Sequence, residues 1–420
     1  MLSTLKNAWK IPDLKKRILY TLAMLIIFRL GAAIPVPGID KMKLATLFTA
    51  DEGLIGFFNL MSGGAFKNFT IFALGISPYI TASIIVNLLQ IAIPSLEAMA
   101  KEGEAGRKKL AQFTRYGTVI LALIQSFGIS VGFFRQAFIT YNAQSVAISV
   151  ITLTAGTAFL MYLGEKINEN GIGNGISLFI FAGIIAGIPD ATIRIGSQLM
   201  AGELSILSIM VFLIIAVIVI MGVIYIQQGA RKVPVQYAKR VVGRKMYGGH
   251  NTHIPLKVNQ AGVIPVIFAI SLLMFPITIA QFWPSSGFYL WISTYFNSTT
   301  LLYNTLNAVL IIFFTYFYTS VIFNPMEVSE NMKKNGGFIP GIRPGRPTTE
   351  YLTRTMNRLT MAGAVFLAAI ATLPNVILAL GELQISFGGT SLLIVVGVAL
   401  ETMKQIEAQM VMRHYQGFLK

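Results

Sequence analysis

The sequence predicts an all-α, polytopic membrane protein: ten transmembrane helices in two inverted, pseudo-symmetric halves around a central pore. Three observations predict it. Ten apolar segments approach or exceed the length of a bilayer crossing, positive charge is concentrated in alternate loops, and two short motifs recur five segments apart. Hydrophobic residues make up 55% of the 420 residues and charged ones only 12%, where a soluble domain carries about 25% charged residues. Mean hydropathy is +0.68. The absence of cysteine excludes disulfides, thiolate metal sites and a cysteine nucleophile.

A helix needs roughly 20 mainly apolar residues to cross the hydrocarbon core. The segments are 17–36, 69–93, 112–134, 146–164, 174–189, 205–226, 261–282, 301–323, 359–380 and 385–403. The fifth is short and abuts Gly171-Ile172-Gly173-Asn174-Gly175. The basic start MLSTLKNAWKIPDLKKRILY leads into the first without a small-residue cleavage site, so it reads as a retained span. Of 33 Lys and Arg, 27 lie in the N-terminal stretch, in loops after even-numbered segments or in the C-terminal tail. Lys41, Lys43, Lys67, Arg135 and Arg194 lie on the other side, and Arg29 lies inside the first segment. Positive charge stays in the cytoplasm, so both termini are expected there. The formal charge of +16 is first a topology signal.

Two of the basic loops are longer than topology requires. Residues 227–260 contain GARKVPVQYAKRVVGRKMYGG, and residues 324–358 contain NPMEVSENMKKNGGFIPGIRPGRPTTEYLTR. Their mixture of Arg, Lys, aromatics, Gly and Pro suits a folded protrusion that docks a large partner. The alternative is a solvated basic loop.

The repeat gives the pore. Gly75-Ile76-Ser77-Pro78-Tyr79-Ile80 opens the second segment and Gly262-Val263-Ile264-Pro265-Val266-Ile267 the seventh. Gly175-Ile176-Ser177-Leu178-Phe179-Ile180 opens the fifth and Gly389-Thr390-Ser391-Leu392-Leu393-Ile394 the tenth. Both pairs are offset by five segments, an odd number, so residues 1–200 and 201–420 are expected to be inverted copies with functional elements between them. Ile76 lies one helical turn before Ile80, and Ile184 one turn after Ile180, so each pair shares a face. Ordinary packing explains a lone isoleucine. Equivalent positions about a pseudo-axis converge, and a ring of branched apolar side chains would exclude water and ions from a pore.

Other chemistry fares worse. Gly128-Ile129-Ser130-Val131-Gly132 fits the G-x-S-x-G pattern of serine hydrolases, but that pattern needs a strand-to-helix elbow and a nearby base. His250, His253 and His414 are the only histidines, roughly a membrane thickness away. The same glycines fit a close helix-packing motif. His250 and His253 in a Gly-rich loop are a weak metal signal. An ion-coupled solute transporter is the serious rival, since inverted repeats are common there. Such transporters need buried charges at mid-depth, and Asp190, Glu203 and Glu382 fall at segment edges. Asn87 and Gln125 lie inside segments two and three, either as packing contacts or at an interface that opens. G-x-x-x-x-G-K-[ST] is absent, so no nucleotide site is expected, and no cofactor.

FFNLMSGGAF, residues 57–66, is apolar but too short and too glycine-rich to cross a bilayer. Its composition allows a packed external loop or a mobile plug beneath the isoleucines. Together with ALGISPYITASII, GIGNGIS, GVIPVIFA, the loop NPMEVSENMKKNGGFIPGIRPGRPTTEYL and FGGTSLLIVV, it resembles the SecY family of pore-forming protein-export subunits, over essentially the whole chain. The resemblance implies a channel in the bacterial cytoplasmic membrane that passes unfolded polypeptides and releases membrane segments sideways. It implies a waist of six residues, Ile76, Ile80, Ile180, Ile184, Ile267 and Ile394. It favours the plug at about 57–68, comprising Phe57, Phe58, Asn59, Leu60, Met61, Ser62, Gly63, Gly64, Ala65 and Phe66. A lateral gate would involve Thr81, Asn87, Gln125, Ser271 and Phe275, with Thr81 and Phe275 facing each other. Arg231, Lys232, Lys239, Arg240, Arg244 and Lys245 would meet ribosomal RNA phosphates, and Arg343 and Arg346 a SecA motor ATPase. SecE and SecG subunits, signal peptides, nascent chains and membrane lipids are the other implied partners.

Overall fold

The computed structural model describes residues 8–417, except 41, 45–58, 60–61, 203–204, 238–239, 243–244, 248–250, 281, 284–285, 298–299 and 382–388. Each of the ten expected spans coincides with a helix. These are α1 (Pro12–Gly31), α2 (Ser77–Ala92), α4 (Glu104–Val131), α5 (Ala143–Asn170), α6 (Gly175–Met200), α7 (Ile206–Gln228), α8 (Ile264–Ala280), α10 (Leu301–Ile322), α12 (Arg346–Gly381) and α13 (Gly389–Gly417). Between them lie three shorter helices, α3 (Pro94–Lys101), α9 (Gly287–Tyr295) and α11 (Pro325–Lys334). By length and hydropathy alone, five helices among the described residues can each cross a membrane, or six if α2 and α3, bent by 100°, count as one.

The boundaries differ from the expected ones for local reasons. Residues 69–76 run as turns, and α2 starts only at Ser77, where Pro78 occupies the first turn. Proline suits that place because its missing N–H would be unpaired there anyway. Asn142 caps α5 by accepting from the Ser145 amide at 2.7 Å, and Asn174 caps α6 by accepting from Ile176 and Ser177. Each supplies an acceptor to amides that have no partner within the helix. Helices α4, α12 and α13 overrun the apolar segments with polar turns that carry Lys108, Arg354 and Lys404.

The helix contacts repeat. In the first half α2 packs on α4, α4 on α5, α5 on α6 and α1 on α6. In the second half the equivalents do the same: α8 on α10, α10 on α12, α12 on α13 and α7 on α13. The halves then meet through equivalent pairs, α2 against α8 and α6 against α13, with α4 also reaching α8. At the α6–α13 contact, the Gly173 amide donates to Gln405 Oε1 at 2.8 Å. The preceding Ile172 amide donates to Thr21 Oγ1 of α1 at 3.0 Å. The GIGNGIS turn is thus tied to both halves.

The two long basic loops build one small unit. Strand β1 (Ala230–Tyr237) pairs antiparallel with β4 (Asn251–Lys257), and its last residues pair with β5 (Gly337–Phe338) from the other loop. Between them, β2 (Arg240–Val242) and β3 (Lys245–Tyr247) form a hairpin. Successive strand residues face opposite ways, so β1 buries Val233 and Val235 and leaves Lys232 and Pro234 exposed. Val233, Val235, Leu256, Met332, Ile339, Leu352 and Met356 form a core separate from the main apolar cluster of the helices. Replacing the fully buried Leu256 with alanine should cost about 2–5 kcal/mol of that unit's stability. Limited proteolysis in vesicles should then cut 227–260 and 324–358 together, and faster than in the parent chain.

Candidate pore, seam and docking face

All six waist isoleucines are buried. Ile180 and Ile394 have no exposed surface, and Ile76, Ile80, Ile184 and Ile267 keep 5% or less. All belong to one continuous apolar cluster. They come from α2 and the residue before it, α6, α8 and α13, the four helices that form the two equivalent contacts between the halves. Ile76 precedes α2, yet its carbonyl accepts from the Ile80 amide at 3.0 Å, which keeps the two side chains one turn apart.

Of the proposed plug, Asn59 and Ser62 to Phe66 are placed; Phe57, Phe58, Leu60 and Met61 lie outside the described residues. The placed part is self-capped. Asn59 accepts from the Gly64 amide at 2.8 Å through its carbonyl and from the Lys67 amide at 3.0 Å through its side chain. Ser62 Oγ accepts from the Phe66 amide at 2.9 Å. Ala65 and Phe66 are buried, and Phe66 meets Phe134, beyond the end of α4, edge-on while Phe69 meets it tilted, with ring centroids 5.3 and 4.1 Å apart.

The seam between the halves runs along α2, α4 and α8. Gly128 of α4 is a notch for Phe282, which follows α8: a methyl group at Gly128 would run into the ring. Thr81 and Phe275, expected to face each other, differ in setting. Thr81 is buried and its hydroxyl donates to Ser77 O at 3.1 Å, whereas Phe275 is 37% exposed. Ser271 is buried with its hydroxyl unpaired. Gln125 is buried and Asn87 half-buried. Asn87 lies five residues before the end of α2, Gln125 twenty-one into α4. At about 1.5 Å per residue, they sit at different depths.

On the small unit, Arg231, Lys232, Arg343 and Arg346 are exposed. Arg346 reaches Glu350 at 3.5 Å, a surface pair worth little. Thr348 Oγ1 donates to Arg343 O at 2.9 Å, fixing that turn. Arg240 and Lys245 stand in the β2–β3 hairpin, and Lys239 and Arg244 lie outside the described residues. Sequence reasoning missed that the two loops share a sheet, because a two-residue strand such as β5 has no pattern of its own.

Ser130 is not on a strand-to-helix elbow. It lies in the last turn of α4, fully buried, with its hydroxyl 3.0 Å from Ser149 Oγ of α5. His253 is in β4, and no group of three or more metal-binding side chains forms among the described residues; His250 lies outside them.

Repeated helix contacts around a buried apolar waist define a pore-forming, multi-pass membrane protein. Residues 70–403 match the SecY family model. Over 100% of both chains, the sequence is 52% identical to the protein translocase subunit SecY of Halalkalibacterium halodurans. The chain therefore belongs to the SecY family. Its fold is similar to that of a SecY whose plug domain stabilises the closed state of the translocation channel and maintains a membrane seal. That likeness has a TM-score of 0.66 at 21% identity, over 94% of this chain and 92% of the other. The canine channel in the ribosome-channel complex from the endoplasmic reticulum matches with a TM-score of 0.63 at 21% identity, over 94% and 93%.

Since the chain has no cysteine, the Ser130–Ser149 contact can be tested directly. The double variant Ser130→Cys with Ser149→Cys should oxidise to a disulfide, read as a gel-mobility shift, in protein that still inserts and folds.

Proposed function

We propose that this chain is the protein-conducting channel through which unfolded secretory polypeptides cross the bacterial cytoplasmic membrane, with both termini in the cytoplasm. The observation that carries the reading is the convergence of six isoleucines, from both halves, in one buried cluster. Apolar side chains close a pore to water and ions yet hold no particular peptide side chain tightly. Among the described residues, no Asp, Glu, Lys or Arg is fully buried, which argues against the ion-coupled transporter.

The seam supports sideways release of membrane segments. A buried unpaired hydroxyl such as that of Ser271 costs about 1–3 kcal/mol, so closure of the seam is not optimal in every contact. A signal helix lying in the open seam would supply the differential free energy that shifts closed toward open. Thr81, Asn87, Gln125 and Phe275 would line the path. Residues 57–66 would stopper the waist from the outer side. The exposed arginines and lysines of the small unit suit phosphate-rich and acidic partners: ribosomal RNA through the 227–260 loop and a SecA-type motor through Arg343 and Arg346. SecE- and SecG-like subunits would brace the halves. The chain itself would be no enzyme, with energy drawn from the motor or the membrane potential.

The reading is tested in vesicles holding the channel, its small subunits, a SecA-type ATPase and a signal-bearing preprotein. ATP-dependent, protease-protected product is expected. Uptake of a small solute along an ion gradient, without such product, would decide for the transporter. Replacing Ile80, Ile180, Ile267 and Ile394 together by serine should raise resting ion conductance severalfold in planar bilayers. Arg343→Glu should reduce motor-driven export to background while the channel still inserts at normal abundance.

A further inference from the structure

Arg29 is the one charged residue well inside a predicted span, and the functional reading leaves it without a task. In the structure it stands in the last turn of α1. Its Nη1 donates to the backbone carbonyl of Gly63 at 2.7 Å, a charge-assisted distance. Gly63 has φ +65°, a left-handed conformation that glycine adopts without strain. A side chain here would also lack room: a Cβ would sit 2.9 Å from Arg29 Nη1 and 3.0 Å from Gly183 Cα. Gly183 lies on α6 between Ile180 and Ile184. The Gly63 peptide is therefore held between the Arg29 guanidinium and the helix that carries two waist residues.

We propose that Arg29 is the latch of the plug: a positioning residue whose guanidinium holds the turn at Gly63 against α6 in the resting channel. The inference rests on the reading of that segment as the plug. Asn59 and Ser62 bond within the segment, and Lys67 to Thr70, which follow it, donate to Asn59, Gly64, Ala65 and Phe66. The bond to Arg29 breaks when the segment leaves. Arg29 is itself exposed, so the bias toward the seat comes from this one bond and from the close fit of Gly63 on Gly183. A backbone carbonyl as acceptor makes the latch independent of the plug's side chains. The reach and fork of arginine suit that bond better than a lysine point charge.

The test measures resting ion leak of the reconstituted channel without substrate, in four backgrounds: parent, Arg29→Leu, deletion of 57–66, and both changes together. Arg29→Lys serves as the conservative variant. Losing one solvent-exposed hydrogen bond should raise the open population roughly 2- to 10-fold. Arg29→Leu should therefore leak more, Arg29→Lys should recover most of the seal, and Arg29→Leu should add nothing once the segment is deleted. That last result separates a latch from a general fault in folding. If the deletion leaks and Arg29→Leu does not, the latch is wrong and the plug stands. If Arg29→Leu leaks equally with and without the segment, Arg29 acts elsewhere and the latch is wrong. If the deletion does not leak, the plug reading itself fails, and the latch with it.

Discussion

Hydrocarbon offers no water to a loose backbone group, so this chain crosses it as helices, and the space between its halves is closed by side chains. Ile76, Ile80, Ile180, Ile184, Ile267 and Ile394 lie in one continuous buried cluster, which in the proposed channel would be that closure. It requires apolar residues from both halves to converge, which the repeated contacts achieve by presenting α2 to α8 and α6 to α13. Polar residues in the same place would hold water and let ions through. The exposed apolar residues of α7, among them Met210, Leu213, Ile214 and Val217, show the other side of the constraint: a surface that suits lipid rather than water.

The same constraint explains why the folded polar structure is pushed to one end. Strands β1, β4 and β5 pair only because two loops, separated by α8 and α10, are brought together outside the apolar layer. Their core of Val233, Val235, Leu256, Met332, Ile339, Leu352 and Met356 is continuous with the polar extension of α12, since Leu352 and Met356 lie on that helix. A movement of the small unit is thereby mechanically joined to a helix of the second half. Arg231, Lys232, Arg343 and Arg346 are exposed on this unit.

Much of this was legible in the sequence because hydropathy and motif spacing report on long, strongly patterned elements. All ten apolar segments are helical, and the isoleucines picked by the repeat are buried together. Local chemistry hid the rest. The turns of residues 69–76 are as apolar as the helix that follows them, so hydropathy extended the span backward past Pro78. The β5 pairing is a tertiary event of two residues. Thr81 is buried and Phe275 partly exposed, a difference set by helix rotation, which spacing along one chain does not specify. The Gly128 notch was read as helix packing, but its occupant, Phe282, lies in the other half.

Within each half, the helices pack on sequential neighbours and are stitched by pairs such as Ser130–Ser149 and Arg115–Glu165, the latter at 2.8 Å. Between the halves, the seam along α2, α4 and α8 relies on apolar contact, the Phe282 ring in its glycine notch, and buried groups that are not all paired. At the opposite contact, a hydrogen bond from Gly173 to Gln405 crosses between the halves, and one from Ile172 to Thr21 anchors the GIGNGIS turn within the first half. A directional bond marks one contact, and non-directional burial closes the other. Apolar surfaces separate without leaving a hydrogen bond broken, and an inserted apolar helix restores the burial they lose. Separation also frees Ser271 to find a partner. In the proposed channel, the bonded contact would serve as the hinge and the apolar seam as the opening.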